Sequence, residues 1–158
     1  MRRLLTVALT VPLALVLLCG CSRDGGGDRT WSEDEVSFDA AGLTVHGTYR
    51  HRSGDGADPA DPAALLISES GQTDRNGDNN VAGPVGNMAQ LAEFLSEHGV
   101  ASLRYDKVGT GSTGLGPYKD RPADVGSAIY TGGATAALRF LAAQPGTDAQ
   151  RISVYGLG

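Results

Sequence analysis

Apolar and polar positions alternate twice in the first third of the chain, over Glu35-Val36-Ser37-Phe38 and again over Leu43-Thr44-Val45-His46-Gly47-Thr48-Tyr49. Alternation with a period of two is what a strand with one buried face shows. Asp39-Ala40-Ala41-Gly42 separates the two runs as a turn segment, so together they predict a β-hairpin. Residues 52–63, rich in Gly, Asp and Pro, predict a loop. Ala64-Leu65-Leu66-Ile67-Ser68 is a short unbroken apolar run, the signature of a strand buried on both faces. A polar loop follows from Glu69 to about Gly86. Met88, Leu91, Ala92 and Leu95 then fall on one helical face, and His98-Gly99 supplies the stop. Val100 to Tyr105 predicts the next strand, and Asp106 to Pro122 a Gly-rich loop. Ala134, Ala137, Leu138, Leu141 and Ala142 mark a second helix, ended near Pro145-Gly146, and Ile152 to Tyr155 a last strand before Gly156-Leu157-Gly158.

The order is a hairpin followed by β-α-β-α-β. Alternating strands and helices predict an α/β domain over residues 33–158, a mostly parallel sheet with helices on its faces and the hairpin at its N-terminal end. A buried strand running to the last residue has nothing to cover its second face. The expectation is therefore a domain truncated just after that strand, with exposed apolar surface there.

The N-terminus adds a different signal. Arg2 and Arg3 precede an apolar run from Leu4 to Leu18, broken only by Thr6, Thr10 and Pro12. That is short for a membrane span, which needs about 20 apolar residues, and suits a secretory signal peptide over residues 1–20. Leu18-Cys19-Gly20-Cys21 resembles the lipobox of bacterial lipoproteins. The resemblance implies cleavage before Cys21, a diacylglycerol thioether on its sulfur, and an extracytoplasmic protein whose partner is the membrane. Residues 21–32, polar and Gly-rich, are then a tether. A disulfide between Cys19 and Cys21 would be lost on cleavage. No other cysteine exists, which removes thiol catalysis and Cys-ligated zinc.

Charge narrows the partners. The chain carries 13 basic and 18 acidic residues, and removal of the signal takes Arg2 and Arg3 with it. An acidic body is a poor match for nucleic acid, whose phosphates need a basic surface.

Four segments carry candidate chemistry: Leu65 to Gly77 (LLISESGQTDRNG), Leu91 to Leu95 (LAEFL), Leu103 to Thr113 (LRYDKVGTGST) and Arg151 to Gly158 (RISVYGLG). In this order and spacing they resemble the α/β-hydrolases, specifically exported serine esterases and acyl hydrolases of the dienelactone-hydrolase and prolyl-oligopeptidase-like branch. The resemblance implies that the loop after the first buried strand supplies an oxyanion-hole N–H, which places Gly71, Gln72 and Thr73 there. Glu69 is unusual beside such a site, and would have to turn away or pair with Arg75. The resemblance also makes Asp106 and Ser112 braces of a structural turn. It makes Gly156-Leu157-Gly158 the nucleophile elbow, a sharp strand-to-helix turn of form G-x-S-x-G. Gly158 then occupies the nucleophile position, with no side chain to attack with, and the triad acid and histidine have no counterparts upstream; the alternatives are a register shifted by one residue, or Gly156-x-Gly158 as the opening of a GxGxxG.

Other patterns compete. Asp74-Arg75-Asn76-Gly77-Asp78 opens like a calcium loop, but Asn79 stands where that loop needs Gly and Val85 where it needs Glu. A hydrogen-bonded polar loop fits better, and no metal site is expected. Gly109-Thr110-Gly111-Ser112-Thr113-Gly114 fits GxGxxG, yet Leu115-Gly116-Pro117 follows where a dinucleotide site needs a helix to begin. His46, His51 and His98 have no metal-ligand spacing, and His98 at a helix end is accounted for by the helix dipole.

The leading expectation is an α/β-hydrolase-like lipoprotein related to carboxylic-ester and acyl hydrolases, without cofactor and inactive as this chain. The alternative is a non-catalytic surface lipoprotein whose hydrolase-like body binds a ligand or partner. A nucleotide-binding α/β domain ranks below both, because export removes it from cytoplasmic nucleotides.

Overall fold

The computed structural model describes residues 30–53 and 60–158. The signal peptide, Cys21 and all but the last residues of the expected tether lie outside the described residues. Strands β1 (Trp31–Ala40), β2 (Leu43–Arg52) and β3 (Asp61–Ile67) are followed by helix α1 (Asn87–Glu97). Strand β4 (Ala101–Tyr105), helix α2 (Ser127–Ala142) and strand β5 (Thr147–Gly156) complete the order. They form a 5-stranded sheet in the order β1-β2-β4-β3-β5. β3, β4 and β5 run parallel, as β-α-β connections require, while β1 and β2 pair antiparallel and β2 joins β4 antiparallel. The sheet is therefore mixed.

The hairpin is tighter and longer than the alternation suggests. Its turn is Ala41-Gly42 alone, with φ of 51° and 76°. Two consecutive positive φ values match the right-handed twist of the flanking strands. Asp39 and Ala40 pair with Thr44 and Leu43 instead of turning. β1 begins at Trp31, inside the segment expected as tether, and the Trp31 ring receives the guanidinium of Arg52 at 5.2 Å. β3 begins at Asp61, within the expected loop, with a register shift between Asp61 and Ala63. Pro62 lacks an N–H and is tolerated at such an irregularity.

Sheet residues divide between two cores. Leu65, Leu103, Tyr49 and Tyr105 pack on one face with Ala137 and Leu141 of α2. Ala64 and Leu66 pack on the other with Met88 and Ala92 of α1. The α1 seam matches the sequence period: Met88 and Ala92 are buried, and Leu91 and Leu95 pack against them. In α2, Leu138 is turned outward, and Phe140 stacks on Phe38 at 5.2 Å in its place. α2 also starts at Ser127, well before Ala134. Gly132-Gly133 hides this first part from a sequence reading, because glycine disfavours helix interiors.

β5 starts at Thr147 and forms one edge of the sheet, where Val154 and Tyr155 are exposed. Among the described residues, no helix is long and apolar enough to cross a membrane.

Candidate functional site

The parallel strands point their C-terminal ends the same way, so the segments following β3, β4 and β5 gather at one edge. Ligands of open α/β sheets bind at that edge, where the loops diverge. Ser68 to Gly86 follows β3, Asp106 to Gly126 follows β4, and Leu157-Gly158 follows β5. The ladder continues one step past β5: the Leu157 N–H donates to the Ile67 carbonyl at 3.0 Å. The expected elbow therefore lies beside the start of the expected oxyanion loop.

The loop after β3 is fixed by two consecutive residues at the end of β4. Asp106 is buried, and its Oδ1 accepts the Arg75 N–H at 2.9 Å. Its Oδ2 accepts the Ser112 N–H at 2.8 Å, so Asp106 ties together the loops that follow β3 and β4. The bracing role given to Asp106 holds, although Ser112 contributes its backbone and not its hydroxyl. Lys107 follows. Its Nζ lies 2.5 Å from Ser68 Oγ, and donates to the Thr73 carbonyl at 2.9 Å and the Ser68 carbonyl at 3.3 Å. Ser68 Oγ donates in turn to the Thr73 carbonyl at 3.1 Å. Burial pulls the Lys107 ammonium below the ordinary lysine range, and the Asp106, Asp74 and Glu69 carboxylates oppose that shift.

The rest of the loop is closed by its own polar groups. Asp74 Oδ1 accepts the N–H of Asn76 at 2.8 Å and of Asp78 at 3.0 Å. Asp78 Oδ1 accepts the Gly86 N–H at 2.7 Å. The carboxylates that suggested a calcium loop thus bind backbone amides. Among the described residues, no group of three or more His, Cys, Asp or Glu is placed to hold a metal ion. Gly77 packs where a Cβ would collide with the Asn87 side chain at the start of α1. The Asn76 carbonyl accepts the N–H groups of Met88 at 3.0 Å and Ala89 at 3.4 Å, filling the role of an N-cap.

A depression of about 440 Å³ opens between these segments, lined by Ser68, Ser70, Gly71, Lys107, Tyr130 and Leu157. A smaller one of about 270 Å³ shares Lys107 and Tyr130 with it and reaches Tyr105 and Ile67. Burial pushes the Tyr105 hydroxyl up to about 12, so it stays neutral.

The three residues expected in an oxyanion loop are placed differently. Gly71, at φ 78°, lines the depression. Gln72 is exposed on the same bend and borders a polar hollow with Asp74 and Asp78. Thr73 is buried, its carbonyl held by Lys107 and Ser68. The amide N–H groups of Gly71 and Gln72 donate to no backbone acceptor among the described residues. Glu69 is exposed, and Arg75 pairs with Glu35 at 2.7 Å instead. Gly158 follows Leu157 with no side chain to offer.

The histidines lie elsewhere. His46 donates its backbone N–H to Thr113 Oγ1, His51 meets the Asp34 carboxylate at 2.9 Å, and His98 Nδ1 meets the Phe94 carbonyl at 2.8 Å. No helix begins at the GxGxxG match; Gly109 to Gly114 closes on itself through the Gly109 N–H and the Gly114 carbonyl at 2.7 Å.

Sequence reasoning passed over Lys107, Ser68 and Tyr130. The one available signal for Lys107 was a lysine set between a buried strand and a Gly-rich turn, where a solvated charge is out of place.

Similar solved structures agree on the architecture. An esterase, Est22, superposes with a TM-score of 0.57 at 16% identity, over 80% of this chain and 34% of that one. The fold is that of the α/β-hydrolases. A dienelactone hydrolase-like promiscuous phosphotriesterase from metagenomic libraries aligns with a TM-score of 0.55 at 18% identity, covering 80% of this chain and 49% of that one. An α/β-hydrolase from a Penicillium species gives a TM-score of 0.54 at 20% identity, covering 80% and 37%. The chain thus spans about a third to a half of the length of these α/β-hydrolase structures. No family model matches the sequence, and no curated protein does.

Proposed function

We propose that this chain is an exported, lipid-anchored, α/β-hydrolase-like protein related to carboxylic-ester and acyl hydrolases, which holds an acyl or ester group at the oxyanion loop without cleaving it. The observation that carries the reading is the juxtaposition of two segments. The Ser68–Thr73 loop and the Leu157-Gly158 segment are laid side by side by β3–β5 pairing, with Gly71 and Leu157 lining one depression. Free amide donors suit a carbonyl or carboxylate oxygen, and Leu157 and Tyr130 offer apolar contact to a short chain. Gly158 at the nucleophile position has nothing to form an acyl intermediate, and covalent catalysis needs a nucleophile activated by a base.

Export and anchoring rest on Arg2-Arg3, the apolar run to Leu18, and Cys21. The test of non-cleavage is incubation of the full chain with p-nitrophenyl butyrate. No release above buffer is expected, for the wild type and for Gly158→Ser alike, since a lone serine without its base stays a weak nucleophile. Turnover by the wild type would overturn the proposal. The second reading, a body that binds a protein partner, is favoured by the exposed Val154 and Tyr155 on β5. It predicts that butyrate leaves the depression unoccupied.

A further inference from the structure

We infer that Lys107 is a positioning residue for the Ser70–Gln72 bend, its ammonium gripping both ends of the loop so that the amides between them are presented to an acyl oxygen. The inference rests on the oxyanion reading above, and assigns a role to a group which that reading leaves unused.

The geometry is a clamp with a short span. Ser68 is the last buried residue before the bend and Thr73 the first after it, with exposed Glu69 between Ser68 and the bend. One Nζ reaches the carbonyls of both, at 3.3 and 2.9 Å, and Ser68 Oγ at 2.5 Å. An ammonium has three protons and no acceptor capacity. Three protein acceptors use them all, so none is left for a ligand and Lys107 works through the loop. Asp106 adds a second pin at the Arg75 N–H. Between the pins, Ser70, Gly71 and Gln72 are exposed. Fixed donors are worth more than floppy ones, because no ordering is needed when the ligand's charge arrives. The positive charge behind the bend also favours an anionic oxygen in front of it.

Loss of the proton should loosen the grip. A neutral amine keeps two donors and must accept the Ser68 hydroxyl proton at its lone pair, which withdraws Ser68 Oγ from the Thr73 carbonyl. The groups around Nζ are the Asp106, Asp74 and Glu69 carboxylates, with the Tyr130 and Tyr105 phenols lining the same hollow. The carboxylates hold the proton on and burial drives it off.

The sequence has two lysines, Lys107 and the exposed Lys119, which makes a direct titration practical. Carbon-detected NMR of the full chain would follow both lysine Cε signals, the Ser68 and Thr73 carbonyl carbons and Gly71 Cα from neutral to alkaline pH. Lys107 is expected to titrate below the ordinary lysine range, with the carbonyls and Gly71 following its midpoint. Lys107→Met should abolish that inflection and weaken butyrate binding about tenfold. Lys107→Arg should keep butyrate binding closer to the wild type and show no inflection. Wild-type carbonyl and Gly71 signals that ignore the Lys107 midpoint would overturn the inference, with no variant needed. So would labelling of Ser68 by a fluorophosphonate, which would require Lys107 to act as a base. If the titration is intact but butyrate perturbs nothing, the acyl-site reading fails and the clamp stands. If butyrate binds and the titration is absent, the clamp fails alone.

Discussion

Glu33 on β1 and Arg104 on β4 are joined across the intervening strand β2 by two hydrogen bonds, of 2.9 and 3.1 Å. Arg104 is buried, and its Nε also donates to Asn76 Oδ1 at 3.1 Å, so this pair connects the hairpin to the loop after β3. Hydrogen bonding to Arg104 holds the Glu33 carboxyl below the ordinary glutamate range, partly offset by burial.

Glu33→Ala should therefore destabilise the fold by about 1–3 kcal/mol, because Arg104 loses its carboxylate and water can reach only part of the gap. A depressed carboxylate pKa means that the unfolded chain binds the proton more readily. The stabilisation is present above the unfolded glutamate value and fades as pH falls below about 4.3 through the folded value. Urea midpoints at neutral and acidic pH check this: wild type and Glu33→Ala should converge in acid. A constant difference between them would show that the ion pair is not the cause.

Asp106→Asn should loosen both loops at the site. An amide can replace one carboxylate oxygen but presents a donor where the second must accept, and Oδ1 and Oδ2 each serve a backbone N–H. A loss of about 2–3 kcal/mol is expected, with faster hydrogen exchange at the Arg75 and Ser112 amides. Unchanged exchange at both would refute the bracing role.

Two glycines separate strain from collision. Gly71 has φ 78° and open space where a Cβ would stand, so Gly71→Ala should cost about 1 kcal/mol through backbone strain. At Gly111, also at positive φ, an added Cβ would strike the Asp106 carboxylate. Gly111→Ala should cost about 2–4 kcal/mol. Thermal midpoints of the two variants give the order; equal losses would contradict it.

Cys21→Ala tests the anchor. Fatty-acid labelling and membrane fractionation of the expressing cells should both be lost in the variant, because two or more acyl chains are needed for firm attachment. Equal labelling in the two proteins would end the lipoprotein proposal.

Much of this fold was legible in sequence, because burial on one or both faces writes directly into the pattern. Leu65-Leu66 announced β3, and Met88 with Ala92 announced the buried seam of α1. Element ends were less legible. Trp31-Ser32 pair within the hairpin although they sit next to a polar, Gly-rich segment, and Gly132-Gly133 lie inside α2 where the helix closes on the sheet, with Tyr105 3.9 Å from a Cβ at Gly133. Order along the chain put Gly71 after β3 and Gly158 after β5, but did not show the partners that fix the loop. Lys107 meets Ser68 and Thr73 only after β3 and β4 pair, and no periodicity encodes that meeting.

Backbone NMR of the chain titrated with butyrate at neutral pH tests most directly the proposal that an acyl group is held beside Gly71 and Leu157. Saturable shifts confined to Ser70, Gly71, Gln72, Tyr130 and Leu157 are the predicted result. Shifts that do not saturate, or that centre on residues away from the ends of β3 and β5, would contradict it.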